Sequence, residues 1–173
     1  MRVERNGFTM IELVVVIVVV GILSTLAAAQ FIGRGNFDAP AFAQQTRAML
    51  RFGQKLAVAQ NRPVFVSISA NRVALCFDAA CSTTVAAPGG SNTGSNATLA
   101  ACGNPSWYCE GVPGDVALAS PAALMFFDAQ GRPFAGTDAP GTDHSTFATL
   151  AIAVNGSAAS ESVLVEQETG YVH

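Results

Sequence analysis

One apolar run dominates the chain. It begins at Phe8 and lasts to Ile32, and from Leu13 to Gly33 there is no Asp, Glu, Lys or Arg. As a helix, residues 8–32 would be about 37 Å long, enough to cross a bilayer with some tilt. Gly33-Arg34-Gly35-Asn36 interrupts the run where it should leave the lipid. Beyond it, Asp38 is placed to cap a second helix, with Pro40 tolerated in its first turn. Phe42, Met49, Phe52, Leu56 and Ala59 then recur at helical spacing, and Gln44, Arg47, Arg51, Gln54, Lys55 and Arg62 line the other side. This helix should end before Arg62-Pro63. Its apolar stripe reads first as a packing face for a sheet, second as a groove for a partner helix.

The period then changes to that of strands. Val64–Ile68 and Val73–Phe77 read as two strands around a turn at Asn71-Arg72. Leu124–Phe127 is a third, closed by the turn 128–133. Ala148–Val154 and Ser162–Val165 flank Asn155-Gly156-Ser157, and Tyr171-Val172 reads as a short terminal strand. One helix followed by hairpins predicts an α+β head, with the helix against an antiparallel sheet. Between Asp78 and Asp115 lies a long stretch rich in Gly, Ser, Asn and Ala, read as a loop. Trp107-Tyr108 are its only large aromatics. They pack locally against a disulfide or form a contact for a partner.

Charge and cysteines narrow the setting. Beyond Gln60, three bases (Arg62, Arg72, Arg132) face nine acids, so the head is acidic. Nucleic-acid binding usually leaves a basic footprint, so nucleic acid is not an expected partner. Cys76, Cys81, Cys102 and Cys109 all follow the apolar run. With Arg2 and Arg5 on the cytoplasmic side, the head lies outside, where disulfides persist. Short loops favour Cys76–Cys81 with Cys102–Cys109; a nested pairing and free thiols remain open. Neither pair has zinc-type spacing, so no metal is expected.

Glu12 is the one charge inside the run. A carboxylate one turn into a membrane segment is costly and is by default functional. An ordinary signal anchor leaves it unexplained; a cleaved signal peptide would have a shorter apolar stretch. Gly7-Phe8-Thr9-Met10-Ile11-Glu12-Leu13-Val14 resembles the processing and assembly signal of type IV pilins and type II secretion pseudopilins. The resemblance implies that a membrane prepilin peptidase cuts after Gly7 and methylates the new amino terminus at Phe8. It also implies that Glu12 acts in assembly. A freed α-amino group has a pKa of about 8, so Glu12 of one subunit has a cationic Phe8 nitrogen to pair with on its neighbour. More loosely, Phe37-Asp38, Gln45 and Leu50–Arg62 are similar to the helix of the GspH/FimT group of minor pilins and pseudopilins. Phe126–Pro133 and Thr169–Val172 are similar to that group's late strands, closest to the MshC-like minor pilins of mannose-sensitive haemagglutinin (MSHA) pili.

The expected organisation is a cleaved leader at 1–7, a membrane and fibre-core helix at 8–33, an amphipathic helix at 34–62 and a disulfide-containing β-rich head at 63–173. The resemblance implies a Gram-negative-type envelope, with a single pass of the inner membrane, the head in the periplasm and later entry into a pilus or pseudopilus. The implied partners are membrane lipid, the peptidase, other pilins or pseudopilins and an inner-membrane assembly platform. Two departures stand out: Ala29 lies near where many pilins have a helix-bending proline, and Glu161, Glu166 and Glu168 occupy a region where FimT-like DNA-uptake pilins would be basic. No cofactor or catalytic motif is found. His144 reads as solvated, His173 as a frayed end, and Asp138 with Asp143 as a turn rather than a calcium site. A DNA-binding uptake pilin and a membrane-anchored periplasmic enzyme are the alternatives.

Overall fold

The structure, a computed structural model, describes residues 9–31 and 35–173, with side chains from Thr9 to Ser24 and from Phe37 onward. The expected leader at 1–7, with Gly7, and also Phe8 and the Gly33-Arg34 break lie outside the described residues. The chain forms two compact units, residues 1–34 and 35–173.

The first unit is helix α1, Met10–Phe31, 22 residues and about 33 Å long. Its described side chains are all exposed, from Met10 at 86% to Val16 and Val19 at 47%. Among the described residues no helix is long and apolar enough to cross a membrane; the described side chains of α1 stop at Ser24.

The second unit begins with α2, Gly35–Gln60. It starts three residues before the expected cap, so Asp38 lies inside the first turn, where a carboxylate suits the positive end of the helix dipole. Its end follows the expected boundary. Asn61 takes a left-handed φ of 49°, Asn61 N donates to Val58 O at 3.3 Å, and Arg62 N donates to Ala57 O at 3.2 Å. This is a Schellman stop, with asparagine in the position glycine usually fills.

Eight strands follow: β1 Val64–Ser69, β2 Arg72–Cys76, β3 Cys109–Gly111, β4 Val116–Ala119, β5 Leu124–Phe127, β6 Pro133–Ala135, β7 Leu150–Gly156 and β8 Ser160–Val165. A short helix α3, Asn96–Cys102, precedes β3. The strands form two antiparallel sheets, ordered β3-β2-β1-β5-β6 and β4-β7-β8. The single sheet expected is therefore two, and the 78–115 stretch is not all loop. Val116-Ala117-Leu118-Ala119 does alternate buried and exposed, but over only four residues. Tyr171-Val172 is not a strand; Val172 makes an isolated bridge to Val165.

Alternation divides the five-stranded sheet into two faces. Val64, Val66, Ile68, Val73, Leu75, Met125 and Phe127 join the main core with α2 and with Leu150, Ile152, Val154, Val163 and Val165 of the other sheet. The buried side of α2 comprises Ala39, Phe42, Ala43, Thr46, Met49, Leu50 and Ala57, with Phe52 and Leu56 half-buried and Ala59 exposed. The stripe is thus centred on smaller residues than the sequence pattern suggested, letting the helix approach the sheets closely. Phe65, Ala74, Cys76, Phe126 and Phe134 face the opposite way, into a second cluster with Trp107, Cys102 and Cys109.

Candidate functional site

Of the stretch Gly7–Val14, the described residues begin at Thr9 and include Glu12. Thr9 caps α1: its Oγ1 accepts from Glu12 N at 3.3 Å, and its carbonyl accepts from Leu13 N at 3.2 Å. Thr9-Met10-Ile11-Glu12 has the spacing of a capping box, a local signal the sequence analysis passed over. Glu12 therefore sits in the first turn, where the helix dipole favours a negative charge. Among the described residues its carboxylate has no hydrogen-bond or ion-pair partner, which leaves the acid available to a group from elsewhere. Gly7 and Phe8, the first two residues of that stretch, lie outside the described residues.

The cysteine region is the second candidate. Cys76 bonds to Cys81 and Cys102 to Cys109, closing loops of sequence separation 5 and 7. Inside the first loop, Asp78 accepts from Ser82 N at 2.9 Å and Thr83 N at 2.6 Å. These backbone donors hold its carboxyl at a pKa of about 2, against an ordinary 3.8. The second disulfide ties α3 to β3. Ser95 caps α3 by accepting from Thr98 N, and Gly103 ends it in the left-handed region at φ 69°. Gly111 on β3 is required by close approach, since a Cβ there would collide with the Ala97 backbone of α3.

Trp107 follows the first of its two readings, local packing beside a disulfide. It is 7% exposed, and its Nε1 donates to Leu75 O at 2.8 Å beneath the stapled segment. Its ring belongs to the second cluster, with Cys102, Cys109 and Phe126. Tyr108 is half-buried, edge-on to Phe52 with ring centroids 5.2 Å apart. Burial, then the nearby Glu110 charge, pushes its phenol above the usual pKa.

Glu110 was missed by sequence reasoning. It is 3% exposed, yet its carboxylate accepts from Thr93 N at 3.0 Å, Thr98 Oγ1 at 2.9 Å and Thr93 Oγ1. Thr98 Oγ1 accepts in turn from Gly111 N at 3.1 Å. The carboxylate thus anchors the Gly- and Ser-rich segment to β3, at a site where a buried charge is tolerated because its lone pairs are used. Nothing in the local sequence around Glu110 marks it as buried.

The polar side of α2 makes contacts that its spacing did not indicate. Arg47 donates to Ser162 O at 2.7 Å and pairs with Glu161 at 3.3 Å. Arg51 donates to Val172 O from Nε at 3.0 Å and Nη2 at 2.8 Å. Gln54 Nε2 donates to Gly131 O at 2.8 Å and Thr169 O at 2.9 Å. These three residues clasp the carboxyl-terminal part of the head, donating to carbonyls that have no strand partner there.

The remaining polar candidates are peripheral. His144 is exposed. His173 Nε2 lies 3.0 Å from Glu166 Oε1, with its ring stacked on Tyr171. Asp138 and Asp143 do not converge: Asp138 is occupied with Ala135 N and Thr146, whereas Asp143 is exposed. Burial alone would raise the Asp138 pKa, but the bonds from Thr146 and Ala135 outweigh it and hold the group below the ordinary value. Among the described residues no three His, Cys, Asp or Glu side chains are grouped to hold a metal ion.

Comparison with known proteins places a family match on the N-terminal region. Residues 4–28 match the prokaryotic N-terminal methylation motif. No curated protein matches the chain significantly. Two solved structures resemble it, both of the type IV minor pilin FimU of Pseudomonas aeruginosa strain PAO1. The crystal form in space group P21 has 14% identity and a TM-score of 0.49, covering 80% of this chain and 88% of that one. The form in P65 has 14% identity and a TM-score of 0.46, covering 78% and 90%.

Proposed function

We propose that this chain, type IV pilin-like in its methylation motif and its helix-then-antiparallel-sheet order, is a minor pilin or pseudopilin subunit. Prepilin peptidase cleaves it after Gly7 and methylates Phe8. The subunit waits in the inner membrane with its head in the periplasm, then joins a pilus or secretion pseudopilus with other pilins through an inner-membrane assembly platform. Its role is structural, not enzymatic.

One observation carries the reading: a methylation motif over residues 4–28 leads into a helix whose apolar side chains are about half exposed or more. Twelve large apolar residues between Met10 and Leu23 are exposed. Burying the rest of their surface is worth roughly 1 kcal/mol each, so on the order of 10 kcal/mol favours covering this helix. Lipid provides the cover first and neighbouring helices afterwards. Membrane insertion rests on the sequence, in which no charge falls between Leu13 and Gly33. Glu12, unpartnered among the described residues, then finds the cationic Phe8 nitrogen of an adjacent subunit; in low dielectric that pairing selects the register of packing.

The acidic, stapled head suits an outward-facing surface of such a fibre. A DNA-uptake role is the weaker alternative, since five of the six bases between residues 35 and 173 are already engaged: Arg47, Arg51, Arg72 and Arg132 in polar contacts and Arg62 over the Phe77 ring. The decisive experiment pairs intact-mass analysis of membrane-extracted protein with recovery of sheared fibres. Wild type is expected to begin at methylated Phe8, and Glu12→Ala to be inserted and cleaved but absent from fibres. A wild-type chain retaining residues 1–7, or normal incorporation of Glu12→Ala, refutes the proposal.

A further inference from the structure

We propose that residues 137–146 form a strap over the free edge of β6, latched by the Asp138 carboxylate. β6 ends the five-stranded sheet, so its outer side has no neighbouring strand. In the β5–β6 ladder, Gly136 N donates to Leu124 O and Asp128 N to Arg132 O, which turns the polar groups of Pro133 and Ala135 away from β5. The strap takes all of them. Ala135 N donates to Asp138 Oδ2 at 3.0 Å, Ala135 O accepts from Asp138 N at 3.0 Å, and Pro133 O accepts from Ser145 Oγ at 2.7 Å. Pro133 has no N–H to satisfy.

The same carboxylate closes the strap's far end, accepting from Thr146 N at 2.9 Å and Thr146 Oγ1 at 2.5 Å. Both roots are thereby tied to one side chain, the geometry of a compact surface loop whose ends meet. Between the roots, among the described residues, the one other polar hold on β6 is Ser145 Oγ on Pro133 O. Residues 139–144 are exposed, and their only hydrogen bonds, from Thr142 to Ala139 O and His144 O, stay within the strap. Cavities of about 670, 270 and 210 Å³ border the strap, the first lined by Leu124, Ala135, Phe147 and Leu150, the second by Phe126 and the third by Arg132 among others. Gly136 is the root that cannot change, because a Cβ there would lie 2.6 Å from Leu124 O. Without the latch the strap lifts as a unit and uncovers an acceptor–donor–acceptor row on β6, the row an added strand would pair with.

Amide hydrogen exchange on the detergent-solubilised full chain tests this. In Asp138→Ala, the Ala135 and Thr146 amides are expected to exchange at least ~10-fold faster, with Leu75 and Val85 unchanged, the signature of local opening. Asp138→Asn keeps one carbonyl acceptor and the side chain's shape, and should give a smaller acceleration at the same two amides. Unchanged exchange at Ala135 overturns the latch. Equal acceleration at Leu75 and Val85 in both variants also overturns it, since Asp138 would then support the whole head.

Discussion

Replacing Glu110 by alanine tests the claim that a buried carboxylate holds the glycine-rich segment to β3. The substitution removes the acceptor for Thr93 N, Thr93 Oγ1 and Thr98 Oγ1. A hydrogen bond to a charged group contributes about 1.5–3 kcal/mol, but the losses are not equal. Thr93 is exposed and regains water, whereas Thr98, 1% exposed, keeps only Ser95 Oγ, Thr93 Oγ1 and Gly111 N as partners. A net cost of roughly 2–4 kcal/mol follows, a large share of the 5–15 kcal/mol that stabilises a typical domain. Glu110→Gln preserves shape and one acceptor, and should cost about 1–2 kcal/mol. Trp107 is the chain's single tryptophan and is buried beside this segment, so its fluorescence reports urea unfolding directly. With a slope near 2 kcal/mol/M, the alanine variant should lower the midpoint by roughly 1–2 M, with glutamine between it and wild type. A loss below about 0.5 kcal/mol for alanine would refute the reasoning, because Glu110 would then be hydrated and the segment held by the disulfides alone.

Other consequences are as direct. Thr46 is fully buried and its Oγ1 has no hydrogen-bond partner among the described residues, so Thr46→Val should stabilise the chain by about 1 kcal/mol in the same urea assay; a lower midpoint would contradict this. Arg51→Ala orphans Val172 O and should cost about 1–2 kcal/mol, with faster amide exchange at Leu164 and His173, whose mutual hydrogen bonds fix the chain end. Asp78 has a folded pKa of about 2 against an ordinary 3.8. Because the folded value is the lower one, its stabilisation is complete above about pH 4 and disappears as pH falls towards 2. Carbon-detected titration of its carboxyl should show that low midpoint, and a midpoint near 4 would remove the Ser82 and Thr83 bonds from the explanation.

Several parts of this protein were determined by local sequence alone. The apolar run with Glu12 as its single acid follows from composition, and β1 and β5 follow from dense runs of large apolar residues. The end of α2 at Gln60 follows from Asn61, which accepts a left-handed turn, and from Pro63, which cannot continue a helix. Cysteines five and seven apart favour local bridges, and the sulfurs bond in those pairs. Tertiary structure decided the rest. β3 has three residues and β4 four, too few for periodicity to separate a strand from an alanine-rich loop, so the second sheet becomes visible only when β7 pairs with β4. Arg47, Arg51 and Gln54 read only as the polar side of α2, because helical spacing records which residues are polar, not which distant carbonyls lack donors. Trp107 and Glu110 were settled in the same way. A side chain's burial depends on what folds over it, and for both residues that cover comes from segments many positions away in the chain.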